Sequence, residues 1–470
     1  MISFVSTRGG GEPQSFEDVL LAGLAPDGGL YVPEEFPQID IQVLKGKSYP
    51  EIAEAVMYPF VEGSIERDDF RAIIDETYGP EIFRDARVTP LVKLSDNLYI
   101  MEQFHGPTIA FKDVALQLLG RLFDHVLKKR NEHITIVGAT SGDTGSAAIE
   151  GCRHSDHIDI FILHPKGRVS DVQRKQMTTV KAPGVHNIAL EGTFDDCQNM
   201  VKAMFADEDF RSSMNLSAVN SINWARIMAQ IVYYFAAALE RGAADGKDVS
   251  FVVPTGNFGN VLAGYCAQQM GLPIKTLGIS TNKNDILTRF FETGEMKADG
   301  VTPTLSPSMD IQISSNFERY LYFLLGRDSE KTREIMQRFK TEGSYAVEGD
   351  FLQKAQSEFQ AFRMNDDETL ATIKKIHEET GYILDPHTAT GMAGAQTLAK
   401  QGGDVILLAT AHPSKFPGAV EKAIGQRPEL PAHLADLFER EEIMHDLAND
   451  RMLVQDFVRK HSHMNTESAA

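Results

Sequence analysis

The sequence predicts an α/β fold of two open lobes behind an N-terminal extension. Short β-rich runs recur from about residue 96 onward, with helical segments between most of them. Three of these runs end in turns rich in Gly, Ser or Thr, two of which open directly into a helix. Such alternation implies a largely parallel sheet or sheets covered by helices, because parallel neighbours need a crossover connection. In open sheets of this kind, ligands bind at the carboxyl ends of strands.

In chain order, residues 1–95 read as an N-terminal subdomain, with Gly/Pro turns in "LAPDGGLYVPEEFP" and an amphipathic segment near 49–62. Residues 96–220 read as a smaller α/β lobe, with strands at "NLYIMEQF", "HITIVGAT", "HIDIFILHP" and "GVHNIALEG". Residues 221–430 read as a larger lobe, with strands at "DVSFVVPT", "PIKTLGIST" and "GDVILLAT", and residues 431–470 as a helical tail. The acidic stretch 327–380 reads as a solvated outer layer of helices.

Composition narrows the function. A formal net charge of −20 disfavours a general nucleic-acid or anionic-membrane surface and leaves room for a local anion site. The three cysteines Cys152, Cys197 and Cys266 are widely spaced and form no disulfide framework, which fits a reducing compartment. "MISFVSTRGGGEPQSF" has no apolar signal region, and runs such as "VILLATA" are too short to span a bilayer, so a cytoplasmic location is expected. "CRHSDHID" has no second half of a zinc pattern, and "KHSHMNTESAA" reads as a frayed end, so no metal is expected.

One lysine is awkwardly placed. In "HGPTIAFKDVALQLLG", Lys112 falls near the first turn of a helix read from about Thr108 as N-cap. Helix N-termini disfavour cations. Lys112 shares an inward stripe with Ala115, Leu116, Leu119 and Phe123 at helical spacing. A desolvated lysine at a helix N-terminus loses proton affinity, and a neutral amine is what carbonyl chemistry requires. The alternative is a packed stem with its ammonium in water.

Three turns join the lysine. "HITIVGAT" runs into "SGDTG", "DVSFVVPT" into "GNFGN", and "GDVILLAT" into "AHPSKFPGAV", which presents Thr410 and Ser414. Gly256 and Gly259 let backbone amides curl around an anion. No P-loop, dinucleotide fingerprint or nucleophile elbow is matched. An amine, a glycine-rich phosphate cradle and a strand-end hydroxyl together fit an aldehyde cofactor bearing a phosphate, pyridoxal phosphate (PLP).

The segments "HGPTIAFKD", "SGDTGSAA", "PTGNFGN" and "ATAHPSKFP", in this order and spacing, resemble the threonine synthase family of PLP enzymes, of the tryptophan-synthase-β fold (fold type II). "STRGG", "LAPDGGLYVP" and "NSINWARI" carry the likeness over most of the chain. The resemblance implies that Lys112 holds the cofactor covalently and moves protons. It implies that Gly256, Asn257, Phe258, Gly259 and Asn260 grip the cofactor phosphate, that Thr410 faces the pyridine nitrogen, and that the site lies between the lobes.

The implied substrate is O-phosphohomoserine, converted with water to threonine and phosphate by γ-elimination and β-addition. Ser141, Gly142, Asp143 and Thr144 are expected on the substrate side, with Asp143 orienting a donor or capping the next helix. For the substrate phosphate the candidates are Lys166, Arg168, Arg226 and Lys283, and Arg226 is favoured because a guanidinium grips phosphate bidentately. Phe104 and His105 fall beside this region, Phe104 as a structural aromatic. Two other readings remain: a phospho-lyase releasing phosphate and a keto acid, and a non-catalytic phosphometabolite-binding protein, which an intact Lys112 disfavours. Oligomeric state is left open.

Overall fold

In the computed structural model, which describes residues 1–140, 142–219 and 221–464, the expected strands belong to two parallel sheets. The chain divides into two units, one of Met1–Phe111 with Ser221–Glu429, the other of Lys112–Asn220 with Leu430–Ala470.

The first unit is built on six strands in the order Phe359–Arg363, Ile274–Thr281, Val249–Pro254, Asp404–Ala409, Leu98–Glu102 and Leu91–Lys93. Neighbours are parallel except the last pair. Every residue of Val249–Pro254 is buried, as expected of a central strand covered on both faces. The helix Gly259–Gln269 makes the crossover to Ile274–Thr281 on one side, while Asp404–Ala409 lies on the other. The sheet order therefore reverses between Val249–Pro254 and Asp404–Ala409, and a crevice opens at the carboxyl ends of such strands. Gly256–Asn260 and Thr410 follow those two ends.

The second unit has five parallel strands in the order His445–Leu447, Val185–Leu190, Ile158–Pro165, Ile134–Ala139 and Leu216–Ser217. All eight residues of Ile158–Pro165 are buried. One cluster packs Phe161, Leu163 and Ile188 against Cys197, Met204 and Val458. Elsewhere in the unit the helices Lys112–Arg130 and Asp143–Cys152 meet without side chains between them: a Cβ on Gly120 would lie 1.9 Å from the Gly151 carbonyl oxygen, and one on Gly151 2.3 Å from that of Leu116. Glycine at both positions lets the two helices touch backbone to backbone.

Sequence periodicity located seven of these strands and missed four. Phe359–Arg363 sits inside the stretch read as outer helices, and His445–Leu447 inside the tail read as helical. Leu91–Lys93 and Leu216–Ser217 are three and two residues long. Among the described residues, no helix is long and apolar enough to cross a membrane.

Candidate active site

The Lys112 helix begins at Lys112 itself, so Thr108 is not its N-cap. Residues 108–111 instead form a bent approach: Ile109 has a left-handed φ of 54°, Ala110 bridges Ala411, and the Phe111 N–H donates to the Thr410 carbonyl at 2.8 Å. The Thr108 carbonyl accepts from the buried Lys415 Nζ at 2.8 Å. A β-branched residue in this backbone region is costly and persists only where its surroundings fix it.

Beyond that bend, the expected inward stripe is present, with Ala115, Leu116, Leu119 and Phe123 all buried and the Lys112 side chain 12% exposed. What compensates the cation at the helix start is a carboxylate: Lys112 Nζ lies 3.3 Å from Asp143 Oδ2. Asp143 is the first residue of the helix Asp143–Cys152, where negative charge is favoured. Its other oxygen, Oδ1, accepts from Gln173 Nε2 at 2.8 Å, and Gln173 Oε1 accepts from Ser170 Oγ at 2.8 Å.

Capping falls to another residue. Thr140 Oγ1 accepts the N–H groups of Gly142 and Gly145, each at 3.0 Å, and so caps the start of the helix. Gly142 has φ 141°, and a Cβ there would press into Gln173 at 2.5 Å. Thr144 is half-buried in the first helical turn, and Ser141 lies outside the described residues.

In the first unit, the strained residue of the GNFGN turn is not a glycine. Positive φ falls on Phe258, at 62°, and not on Gly259. Its buried ring packs on Phe317, Tyr320 and Phe359 with centroids 5.0 to 5.6 Å away, which anchors the strained residue. Gly259 is needed for space, since a Cβ there would stand 3.2 Å from Asn316 Nδ2. Gly256 is tighter, with a Cβ meeting Ser308 O at 3.2 Å and Met309 Cα at 3.3 Å.

The first helical hydrogen bond beyond the turn is Leu262 N–H to the Phe258 carbonyl, so the leading amides have no acceptor within the helix and suit an anion. Asn257 is exposed at the turn, whereas the Asn260 side chain is committed elsewhere: its Oδ1 accepts from Tyr233 Oη at 2.5 Å and its Nδ2 donates to Gln103 Oε1 at 3.3 Å. Thr410 is 7% exposed at the end of Asp404–Ala409.

The four candidate cations separate cleanly. Lys166, Arg168 and Lys283 are exposed, and Lys166 is paired with Asp446 at 2.8 Å. Arg226 is 4% exposed in the first turn of Trp224–Glu240, and its buried Nε and Nη1 have no hydrogen-bond partner. Burial alone pushes its guanidinium down to about 10. A buried charged donor left unbonded is costly, and an anion is what satisfies it. Phe104 stacks on His105 within an apolar cluster and is structural, while His105 Nε2 lies 2.9 Å from Glu102 Oε2.

Sequence reasoning missed the braces. Arg319 is fully buried, donating Nε to the Tyr31 carbonyl at 2.9 Å and Nη1 to Asn316 Oδ1 at 2.6 Å. Asn316 in turn donates its N–H to the Asn257 carbonyl at 3.1 Å, which ties the turn down. Gln173 and Tyr233 likewise carry no local signal for these roles, because Asp143 and Asn260, which they hold, are 30 and 27 positions away. The second unit thus offers a shielded lysine amine, and the first a close-packed turn at Gly256 and a buried guanidinium with two unbonded nitrogens, donors of the kinds that a phosphate-bearing aldehyde cofactor and an anionic substrate require.

Comparison with known proteins identifies the family. Three family models match in succession: "Threonine synthase N terminus" at residues 3–78, "Pyridoxal-phosphate dependent enzyme" at 82–350 and "Threonine synthase, C-terminal" at 388–458. The threonine synthase of Pseudomonas aeruginosa is 55% identical, covering 97% of this chain and 98% of that protein. That of Schizosaccharomyces pombe is 48% identical over 90% of this chain and 89% of its own. The crystal structure of PLP-bound threonine synthase from Brucella melitensis superposes with a TM-score of 0.96 at 52% identity, covering 98% of this chain and 100% of that one. The chain is a PLP-dependent enzyme and belongs to the threonine synthase family.

Proposed function

We propose that this enzyme converts O-phosphohomoserine and water to threonine and phosphate, with Lys112 as the lysine that holds the cofactor and moves protons. The observation that carries the substrate assignment is Arg226, whose unbonded buried nitrogens call for an anion such as the substrate phosphate. The bound cofactor supplies an electron sink that stabilises carbanions at successive substrate carbons.

The chain's own residues divide the remaining tasks. The amides of Gly256, Asn257, Phe258, Gly259 and Asn260 would hold the cofactor phosphate, and the hydroxyl of Thr410 would serve the pyridine nitrogen. Gly142, Asp143 and Thr144, with Ser141, take the substrate carboxylate side. Lys112 Nζ carries protons along the substrate chain, a task suited to an amine on a four-carbon stem. Asp143 Oδ2, 3.3 Å from that nitrogen, receives the ammonium whenever it is protonated and so limits where it can swing. Gln173 fixes the other carboxylate oxygen, which keeps Asp143 aimed at the amine. The deep burial of Arg226 sharpens its attraction for phosphate, because charges interact more strongly away from water.

Incubation of the holoenzyme with O-phosphohomoserine, followed by quantitation of phosphate and amino acids, tests the proposal. Equal release of threonine and phosphate supports it. Phosphate with a keto acid in place of threonine assigns the chain to phospho-lyases, and no release with retained binding makes it a binding protein.

A further inference from the structure

Among the described residues of the second unit is a cluster of titratable side chains that none of the steps above uses. His133 directly precedes the strand Ile134–Ala139, Asp159 lies within Ile158–Pro165, and His463 follows the helix Arg451–His461. Asp159 is fully buried. Its Oδ2 lies 3.0 Å from His133 Nε2 and accepts from Ser462 Oγ at 2.9 Å and the His463 N–H at 2.8 Å. Its Oδ1 lies 2.7 Å from His463 Nδ1. One donor atom from each of the three residues falls within 4.8 Å of the others.

We propose that His133, Asp159 and His463 form a binding site for a divalent transition metal of the zinc class. Two imidazoles and one carboxylate are the donors such ions take, whereas magnesium and calcium prefer oxygen throughout. At metal–donor bonds of about 2.0 to 2.2 Å in tetrahedral array, ligand atoms stand roughly 3.3 Å apart. Asp159 Oδ1 and His463 Nδ1, now 2.7 Å apart, need to open only slightly, and His133 Nε2 lies beside them, 3.0 Å from Oδ2. The two rings are tilted by 51° with centroids 5.6 Å apart, so they do not stack against each other.

The support a ligating carboxylate needs is already in place. Ser462 Oγ and the His463 amide hold Oδ2, which leaves Oδ1 for an ion, and Thr135 Oγ1 lies 3.1 Å from Ser462 Oγ behind them. A cavity of about 270 Å³ adjoins the cluster, lined also by Glu132, Asp156 and His157, and gives the fourth position to water or to one of these side chains. The ligands come from the amino-terminal ends of two neighbouring interior strands and from the segment after the helix Arg451–His461, so the ion fastens that segment to the amino-terminal end of the sheet.

The test uses full-length holoenzyme dialysed against Zn²⁺ and then metal-free buffer, with metal counted by mass spectrometry and Co²⁺ as the spectroscopic probe. The proposal expects one Zn²⁺ per chain, visible Co²⁺ bands of tetrahedral intensity and a Tm raised by zinc. In His463→Gln, which keeps a side-chain N–H for Asp159 but has no imidazole, and in His133→Gln, all three signals vanish while metal-free activity is unchanged. Zinc uptake that does not saturate at one per chain, or that is equal in His463→Gln and the parent, overturns it. So does saturable Co²⁺ binding with a purely octahedral, oxygen-ligand spectrum.

Discussion

Replacing Arg226 by methionine separates a substrate-binding charge from a structural one. Burial brings the guanidinium down to about 10 from an ordinary value above 12. At about 1.4 kcal/mol per tenfold change in proton affinity, holding it charged costs the ligand-free protein about 3 kcal/mol. A methionine of similar length relieves this, so Arg226→Met has a Tm equal to or above that of the parent, since exchanging a buried charge for packed apolar volume is neutral to stabilising.

If Arg226 holds the substrate anion as proposed, the same substitution removes a buried charge from it, a loss of about 2 to 5 kcal/mol. That converts to a fall in kcat/KM of roughly thirtyfold to several thousandfold. Steady-state phosphate release across O-phosphohomoserine concentrations gives the kinetic term and calorimetry the thermal one, with the cofactor absorbance expected to be unchanged. Near-parental kcat/KM combined with a lowered Tm refutes the reasoning and makes Arg226 a structural cation.

Three further outcomes follow from neighbouring geometry. Gly256→Val places branched carbons where even a Cβ stands 3.2 Å from Ser308 O, so PLP titration of the apoenzyme should show weakened retention, and unaltered titration counts against the cradle. Thr140→Val removes the oxygen that accepts the Gly142 and Gly145 amides and should lower denaturant-measured stability by about 1 to 2 kcal/mol, the usual worth of a lost helix cap. Glu442 is held down to about 2, first by its hydrogen bond from Arg174. A depressed carboxylate stabilises fully above its unfolded value near 4, and this is lost as pH falls through 2. Glu442→Gln should therefore lower Tm at pH 7 and flatten its decline between pH 4 and 2, and a parallel decline in both proteins would contradict this.

The parallel sheets were legible because their central strands, such as Val249–Pro254 and Ile158–Pro165, are apolar on both faces and bounded by turn residues. Phe359–Arg363 was not, since "FQAFR" at a sheet edge mixes polar and apolar residues inside an acidic helical stretch. Lys112 stood out because its place conflicts with the helix dipole, but Asp143, which resolves the conflict, is 31 positions away and has no local mark. Thr108 looked like a cap by residue type, yet the left-handed turn at Ile109 intervenes, and nothing about an isoleucine announces positive φ. In the GNFGN turn the glycines draw notice, whereas the strained residue is Phe258, held there by aromatic packing that forms only in the folded chain. Arg226 was named by chemistry alone, and its depth and unbonded nitrogens became visible only in three dimensions.

The most direct test of the central claim is to reduce the holoenzyme with borohydride, digest it and locate the pyridoxyl group by mass spectrometry. The account predicts a single tagged residue, Lys112, and loss of both tag and turnover in a folded Lys112→Ala variant. A tag on another lysine, above all the fully buried Lys415, or unchanged turnover in Lys112→Ala, would contradict it.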